Sequence, residues 1–402
     1  MELVVTEEQR RDPPAGNELS AGKVNRPLLC GREKKPFHDG SGLCFQGRRR
    51  PEEREVSPFI LPGKRWLQLK SEDEVRRDVF SLAKGGTREA PFGEEVVEKA
   101  RKLWVKFLLE RGMRSEEELW VREERQPFML AALQQHLEVM KDPDAGAFEG
   151  FRQGVLVGAH DNMPRAAEVF EAKVKWKAYE EVPLPTDKEN YTSAKDDAPV
   201  LQKQFRKEEA LGAMVEVEEA WARERYGEEF RLAALAALEK SDKSFRVVHD
   251  GTHGVGVNSK IKVLDQLRYP GPGEVRKALE VLHPVTFCLA ADVSRAHRLV
   301  KVREQDWGLM SCKTGVNDDG TASTKVWLNC VGTFGITSAS YHFTRLFGAI
   351  LRAGASLRGR APCFELGYVD DLLYLAQGRK GIEAISLAWW ARHSVGASVG
   401  EA

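Results

Sequence analysis

The chain has 402 residues, and its 61 basic and 61 acidic side chains cancel to a net charge of zero at pH 7. That length leaves room for two or three domains and a substantial core. Zero net charge excludes a whole-chain attraction to nucleic acid, so any such binding has to come from a local basic region.

The cysteines and the hydropathy pattern indicate the cell compartment in which the protein is found. The six cysteines form no Cys-x-x-Cys pair, and Cys288 lies inside an apolar run, which predicts free and mostly buried thiols in a reducing compartment. No apolar run reaches the ~18 residues that span a bilayer, and the N-terminus lacks the apolar segment of a signal peptide. We therefore expect an intracellular protein, nuclear or cytoplasmic, with no membrane contact.

The first half of the chain offers no chemical motif. Residues 1–60 are rich in Gly, Pro, Arg and Glu, which predicts a disordered tail, because such a segment buries too little surface to offset its chain entropy. Over 92–140 apolar residues recur at spacings of three and four, which predicts helices, and Ser115 with Glu118 predicts a capping box. We interpret residues 61–195 as a helical accessory region.

The pattern changes near residue 240. Residues 205–240 predict further helix, with leucines up to Leu238 facing a core. Residues 240–250 are β-like and carry several cations, including Arg246. An ordinary edge hairpin with exposed Lys and Arg is the alternative interpretation of this segment.

Acidic residues stand at the ends of two short β-prone runs further along the chain. The run 285–292 is apolar and ends in Asp292, and the run 363–376 predicts strand, tight turn and strand, with Asp370 and Asp371 at the turn. Adjacent carboxylates repel each other, and a divalent cation between them would favour their charged forms. A strand-end acid beside an acidic hairpin is the arrangement that two-metal nucleotidyl transfer needs. A polar β-turn is the alternative interpretation of the acid pair.

A third segment lies between these two runs. Residues 325–331 predict a strand, and a Phe334-Gly335 turn then enters a helix that carries Phe343. Glycine suits such a turn, because a residue without a side chain lets the backbone approach a neighbouring group closely.

Taken together, these segments resemble the palm of reverse transcriptases, most closely those of long-terminal-repeat retrotransposons. The resemblance rests on Asp292, on the run 332–343 with its Phe334-Gly335 turn, and on the hairpin Tyr368-Val369-Asp370-Asp371. The three motifs follow in the family's order. They imply an α+β fold with a right-hand polymerase palm and fingers.

The resemblance also implies a domain organisation. Residues 200–284 would form a fingers-like region and residues 285–402 an incomplete palm-like region. Only 26 residues follow Ala376, so we expect the chain to be truncated before the thumb.

By the same resemblance, the chain would be an RNA-directed DNA polymerase. It would add deoxynucleotides, from deoxynucleoside triphosphates, to a primer 3′-hydroxyl on an RNA or DNA template. Two Mg²⁺ or Mn²⁺ ions would be held by Asp292, Asp370 and Asp371. The residues expected to bind the nucleotide are Lys240 (with Lys243 as the alternative), Arg246, Asp250, His297, Phe334, Gly335 and Tyr368.

Two positions depart from the family pattern. His297 stands where relatives have a Tyr or Phe beneath the sugar, and Ser340 stands where they have a Pro. Imidazole can stack or can hydrogen-bond a hydroxyl, so the sugar preference stays open. Two other interpretations of the chain also stay open. One is a catalytically inactive retroelement relic or an exapted nucleic-acid-binding module with the same fold, and the other is an unrelated helical scaffold.

Overall fold

The computed structural model describes residues 94–174, 185–240, 245–358 and 361–396. The predicted disordered tail over 1–60, and Lys243 as an alternative phosphate contact, lie outside the described residues. Within the described ranges the protein is a mixed α+β structure, as expected. None of the helices in these ranges has both the length and the apolar character needed to cross a membrane.

The elements of the described ranges alternate between helices and short strands. The α-helices are α1 (Glu94–Leu109), α2 (Glu116–Trp120), α3 (Leu130–Val139), α4 (Phe148–Gln153), α5 (Thr192–Asp196), α6 (Ala198–Ala210), α7 (Glu219–Tyr226), α8 (Val257–Lys260), α9 (Pro272–Val281), α10 (Thr337–Arg358) and α11 (Gly378–Val395). The strands are β1 (Glu171–Ala172), β2 (Met214–Glu218), β3 (Leu235–Glu239), β4 (Phe245–His249), β5 (Asp265–Gln266), β6 (Phe287–Asp292), β7 (Ser311–Cys312), β8 (Lys325–Asn329), β9 (Cys363–Tyr368) and β10 (Asp371–Ala376).

These strands form small antiparallel sheets. The two three-stranded sheets have the orders β6-β10-β9 and β2-β8-β7, and β3 pairs with β4 as a hairpin. The strands predicted over 285–292, 325–331 and 363–376 are therefore confirmed.

The predicted helices of the first half are also confirmed where the structure describes them. The amide of Glu118 donates to Ser115 Oγ at 3.3 Å and the amide of Ser115 donates to Glu118 Oε2 at 3.2 Å, so the capping box is complete. Helix α3 ends at Val139, just before the Asp142-Pro143 turn. A proline cannot continue a helix, which explains the stop.

The prediction of continuous helix over 205–240 is wrong. Helix α6 ends at Ala210, and the chain then forms β2 and, after α7, β3. Residues 215–218 of β2 alternate apolar and charged side chains with a period of two, which suits a strand, and β8 supplies the partner. In β3, Leu235 is buried but Leu238 is 53% exposed, so the expectation that Leu238 faces a core is wrong as well.

The β6-β10-β9 sheet lies between helices. Its inner face, including Leu372 and Tyr374, packs into the main core with α10 and α11. One end of its outer face is covered, where Phe364 and Leu375 pack against Ala278 of α9. At the other end Tyr368 and Asp371 are exposed.

The main core crosses the predicted boundary near residue 195. Phe148 from the accessory region and Phe347 from α10 belong to the same buried cluster. A buried ion pair reinforces this packing, since Arg345 Nη2 donates to Asp144 Oδ1 at 2.6 Å. The described accessory helices are thus packed directly against α10 and α11, the helices on the inner side of the β6-β10-β9 sheet.

Candidate active site

Two of the three predicted acids lie directly opposite each other. In the register of the sheet, Asp371 of β10 pairs with Asp292 of β6 on one side and with Tyr368 of β9 on the other. Directly opposed residues of antiparallel strands share a face, with Cβ atoms about 4.5–5.5 Å apart. Asp292, Asp371 and Tyr368 therefore form one row across the outer face of the sheet.

The apolar pattern of β6 explains why Asp292 points outward. Phe287, Leu289 and Ala291 pack toward the main core, whereas Cys288 and Ala290 are exposed. Side chains alternate between the two faces of a strand, so this pattern places Asp292 on the open face. Cys288 shares that face, so this thiol is exposed although the other described cysteines, at 312, 330 and 363, are buried.

Asp370 lies in the turn of the β9-β10 hairpin, next to this row. Its backbone oxygen accepts a hydrogen bond of 2.9 Å from the amide of Val293, the residue after Asp292. The turn is thereby tied to the end of β6. Asp292 lies far from Asp370 and Asp371 in sequence, and the three acids meet at one end of the sheet.

The hairpin turn carries backbone strain. Val369 has φ of 57°, and it is the first of the two central residues, which is the position of positive φ in a type II′ turn. Glycine is favoured there, and a β-branched residue at positive φ is a clear outlier that costs roughly 1–3 kcal/mol. Such strain is concentrated at functional sites, and here it lies next to Asp370.

The acids influence one another electrostatically. Burial raises the pKa of Asp292, and the nearby carboxylates of Asp370 and Asp371 raise it further, while the Lys240 ammonium opposes the rise. In the part of the chain that the structure describes, no three Asp, Glu, His or Cys side chains already converge as a metal-coordinating group. The two observations differ because like charges act on each other over a longer range than coordination distances.

The donor atoms of this row suit a hard divalent cation. Mg²⁺ and Mn²⁺ prefer carboxylate oxygens, and Asp292, Asp370 and Asp371 supply only these. A bound cation would also offset the repulsion that raises the Asp292 pKa. The residues present therefore fit the expected ions.

Two of the expected phosphate contacts belong to the β3-β4 hairpin. Lys240 follows β3 and is exposed, and its positive charge opposes the rise of the Asp292 pKa. Arg246 of β4 is exposed, and its guanidinium carbon lies 5.6 Å from the centroid of the Phe334 ring. One cation thus lies near the acids and the other over the Phe334 turn.

Gly335 is required by the protein's own packing. Its φ is 99°, and a Cβ at this position would lie 1.8 Å from the backbone oxygen of His249, at the end of β4. The His249 amide in turn donates to the Phe334 oxygen at 3.1 Å. The turn and β4 therefore approach each other backbone to backbone, and in this structure the space beside Gly335 is filled by β4. The expected nucleotide contact of Gly335 stays a prediction.

Asn258 holds this turn from the other side. Its Nδ2 donates to the Gly335 oxygen at 2.6 Å, and its Oδ1 accepts from the amide of Thr337 at 2.8 Å, in the first turn of α10. One side chain thus satisfies the carbonyl of the turn and an unpaired amide at a helix start.

His297 fills a pocket between aromatic rings. Its ring lies edge-on to Phe334, with centroids 4.8 Å apart, and to Phe343 at 6.0 Å. Burial lowers the pKa of His297, and the Asp370 charge opposes that shift, so the ring is neutral at pH 7. Both ring nitrogens are shielded from solvent without a hydrogen-bond partner among the described residues. The packing favours a stacking role over a hydrogen bond to a sugar hydroxyl.

Asp250 is occupied by its own loop. Its carboxylate accepts hydrogen bonds from the amides of Thr252 (3.0 Å) and His253 (2.9 Å) and from the Tyr191 hydroxyl (2.5 Å). In this structure Asp250 shapes the loop after β4. A direct nucleotide contact by Asp250 stays a prediction.

Two contacts at the site had no signal in the sequence. Tyr269 lies against Tyr368, with ring centroids 4.9 Å apart. Glu208 of α6 accepts hydrogen bonds from Arg295 (2.6 Å) and Arg298 (2.9 Å), in the turn that follows Asp292. Both are long-range contacts, and Tyr269 and Glu208 lie outside any motif, so composition and periodicity could not identify them.

The structure therefore brings most of the predicted site residues into two neighbouring groups. One group contains Asp292, Asp370, Asp371, Tyr368 and Lys240. The other contains Arg246, Phe334, Gly335 and His297. The Asp370 carboxylate lies close enough to His297 to oppose the lowering of its pKa, and this proximity connects the two groups.

Comparison with models of known protein families gave no match, and comparison with curated proteins gave none either.

Proposed function

We propose that this chain is a reverse-transcriptase-like nucleotidyltransferase with a palm and fingers arrangement, which adds deoxynucleotides to a primer 3′-hydroxyl. The observation that carries the proposal is the register of β6 against β10, which sets Asp292 opposite Asp371 with Asp370 in the adjoining turn. The order of the three sequence motifs supports the same assignment.

Asp292, Asp370 and Asp371 would hold two Mg²⁺ or Mn²⁺ ions. Bound there, the ions would supply activation of the attacking hydroxyl and neutralisation of charge on the departing pyrophosphate. The chain's own contribution is to keep these carboxylates on one open face, because the apolar pattern of β6 buries its alternate side chains.

Cations of the fingers-like region would bind the triphosphate. Arg246 is exposed beside Phe334, and Lys240 is exposed within electrostatic range of Asp292. A guanidinium group offers paired donors that match phosphate oxygens, and an ammonium group adds a mobile point charge. Both side chains are free of the buried packing that would prevent them from reaching a ligand.

The floor of the nucleotide site would be formed by Phe334, Gly335 and His297. Gly335 fixes this floor against β4, and Asn258 holds it to α10. A neutral imidazole wedged against Phe334 provides an apolar surface beneath a sugar, smaller than a phenol ring would provide.

Primer extension with single carboxylate variants tests the proposal. The purified chain is incubated with a labelled primer on an RNA or a DNA template, deoxynucleoside triphosphates, and Mg²⁺ or Mn²⁺. We expect extension, and a loss of about 100-fold or more in Asp292→Asn and Asp370→Asn, the scale on which single charge-stabilising groups act in catalysis. The control is Asp196→Asn, the same change at an exposed position of α5.

Metal binding separates an enzyme from an inactive relative. Mn²⁺ binding is followed by electron paramagnetic resonance on the wild type and the same variants. Binding that depends on Asp292 and Asp370 without any primer extension would favour the inactive binding module. If neither substitution changed Mn²⁺ binding or extension, the proposed site would be wrong.

A further inference from the structure

An aromatic pair lies beside the acidic row. Tyr368 is 54% exposed and is the third member of the row that contains Asp292 and Asp371. Tyr269 covers one side of its ring, with centroids 4.9 Å apart and planes at 49°. The pair leaves one aromatic surface open to solvent next to the carboxylates.

A hydrogen bond to α10 holds Tyr269 in place. Its hydroxyl shares a hydrogen bond of 3.1 Å with the Thr344 hydroxyl. Thr344 belongs to α10 and is 3% exposed, so this partner lies in a rigid part of the core. A ring anchored through its hydroxyl loses little further entropy when a ligand packs against its neighbour.

The chemistry of this surface selects a nucleobase. The Tyr368 and Tyr269 rings carry no positive charge for a phosphate, whereas an uncharged aromatic ring stacks on the π-face of any base. Neighbouring strands are about 4.8 Å apart, so the Tyr368 position lies roughly 10 Å from Asp292 across the sheet. The last one to three nucleotides of a strand cover that distance, at about 3.4 Å each.

We propose that Tyr269, through its hydrogen bond to Thr344, braces the Tyr368 ring as a stacking surface for the bases at the 3′ end of a nucleic-acid strand. This inference rests on the proposed function, because it takes the strand to be the primer whose 3′ end reaches the carboxylates. Tyr269 acts through Tyr368 and is a positioning residue.

Fluorescence of 2-aminopurine tests the brace without requiring catalysis. The probe is placed at the 3′-terminal position of a primer annealed to a template, or well upstream as a control. Stacking on Tyr368 should quench the terminal probe and leave the upstream probe unchanged. In Tyr368→Leu the quenching should disappear and the affinity should fall about 5- to 140-fold, the scale of one base stacked on an aromatic ring.

Two substitutions remove the same hydrogen bond from opposite sides. Tyr269→Phe and Thr344→Val should each weaken primer binding about 2- to 10-fold, and the double variant should be no weaker than either single variant. In extension assays the KM for the primer should rise in both while kcat and the KM for the nucleotide stay constant. Tyr226→Phe is the matched control, because the Tyr226 hydroxyl is buried without a hydrogen-bond partner among the described residues.

Each failure has its own signature. If the wild type extends primers but Tyr269→Phe keeps its quenching and its primer KM, the brace is wrong and the proposed function stands. Additive losses in the double variant would also overturn the brace, because the two residues would then act separately. If Asp292→Asn leaves extension and Mn²⁺ binding unchanged, the proposed function falls, and this inference falls with it.

Discussion

Replacing Gly335 by alanine should destabilise the protein far more than the same change at another glycine with positive φ. Gly335 has φ of 99°, and an added Cβ would lie 1.8 Å from the His249 oxygen. Gly315 has φ of 83°, and a Cβ there would meet nothing within 4 Å. Comparison of Gly335→Ala with Gly315→Ala therefore separates two contributions to the loss of stability, the strained backbone conformation and the collision with the His249 oxygen.

The expected magnitudes follow from this geometry. Alanine in a left-handed conformation costs about 1–3 kcal/mol at either position. At Gly335 the contact also has to open from 1.8 Å to at least 3.0 Å. Forcing a well-packed region apart costs about 1–3 kcal/mol more. The shift also weakens the hydrogen bond from His249 to Phe334, which is worth about 1 kcal/mol. We expect a loss of about 3–7 kcal/mol in Gly335→Ala and about 1–3 kcal/mol in Gly315→Ala.

Urea unfolding of the two variants and the wild type measures both losses. Movement of β4 would also displace Arg246, so in extension assays the KM for the nucleotide should rise in Gly335→Ala and stay unchanged in Gly315→Ala. Equal free energies of unfolding for the two variants would refute the collision. The close approach of β4 to the Phe334-Gly335 turn would then be wrong.

Two further substitutions test the electrostatics around the acids. Asp292→Asn should raise the free energy of unfolding at pH 7 by about 1 kcal/mol, a figure discounted for solvent screening, because it removes a carboxylate repelled by Asp370 and Asp371. Since the pKa of Asp292 is raised in the folded state, Asp292 lowers wild-type stability as the pH rises from its ordinary value of 3.8 through the folded pKa. The advantage of the variant in thermal unfolding should therefore vanish below that window, and an advantage independent of pH would contradict this cause. Glu208→Gln should cost about 3 kcal/mol in urea unfolding, because it leaves the buried Arg298 guanidinium without its carboxylate. Glu209→Gln, one residue along α6 in a more exposed ion pair, is the control and should change stability by less than about 1 kcal/mol.

The strands that carry the acids could be predicted because their signals are local. Each is a short apolar run with a polar end, and the hairpin Tyr368-Val369-Asp370-Asp371 has a two-residue loop that fixes its own register. The expected position of Asp292 beside this hairpin is present in the structure. That adjacency was inferred from the chemistry of paired carboxylates, and no local pattern encodes it.

The errors and omissions arose where distant residues decide the structure. Segment Met214–Glu218 contains residues that favour helices. It is nevertheless a strand, because it pairs with β8, which lies more than a hundred residues later. Local propensity is a weak prior that tertiary pairing routinely overrides. The contacts of Tyr269 with Tyr368 and of Glu208 with Arg298 likewise join segments far apart in sequence.

The position of the acids depends on side chains that have no part in the chemistry. The carboxylates of Asp370 and Asp371 repel that of Asp292, and this repulsion adds to the burial that raises the Asp292 pKa. A slip of one residue between β6 and β10 would turn Asp292 toward the core and expose Leu289. Burial of Phe287, Leu289 and Ala291 opposes that slip and holds the repelling carboxylates in one row. A substitution that reduces this inner face, such as Leu289→Ala, should therefore disturb the acidic row without touching any of its members.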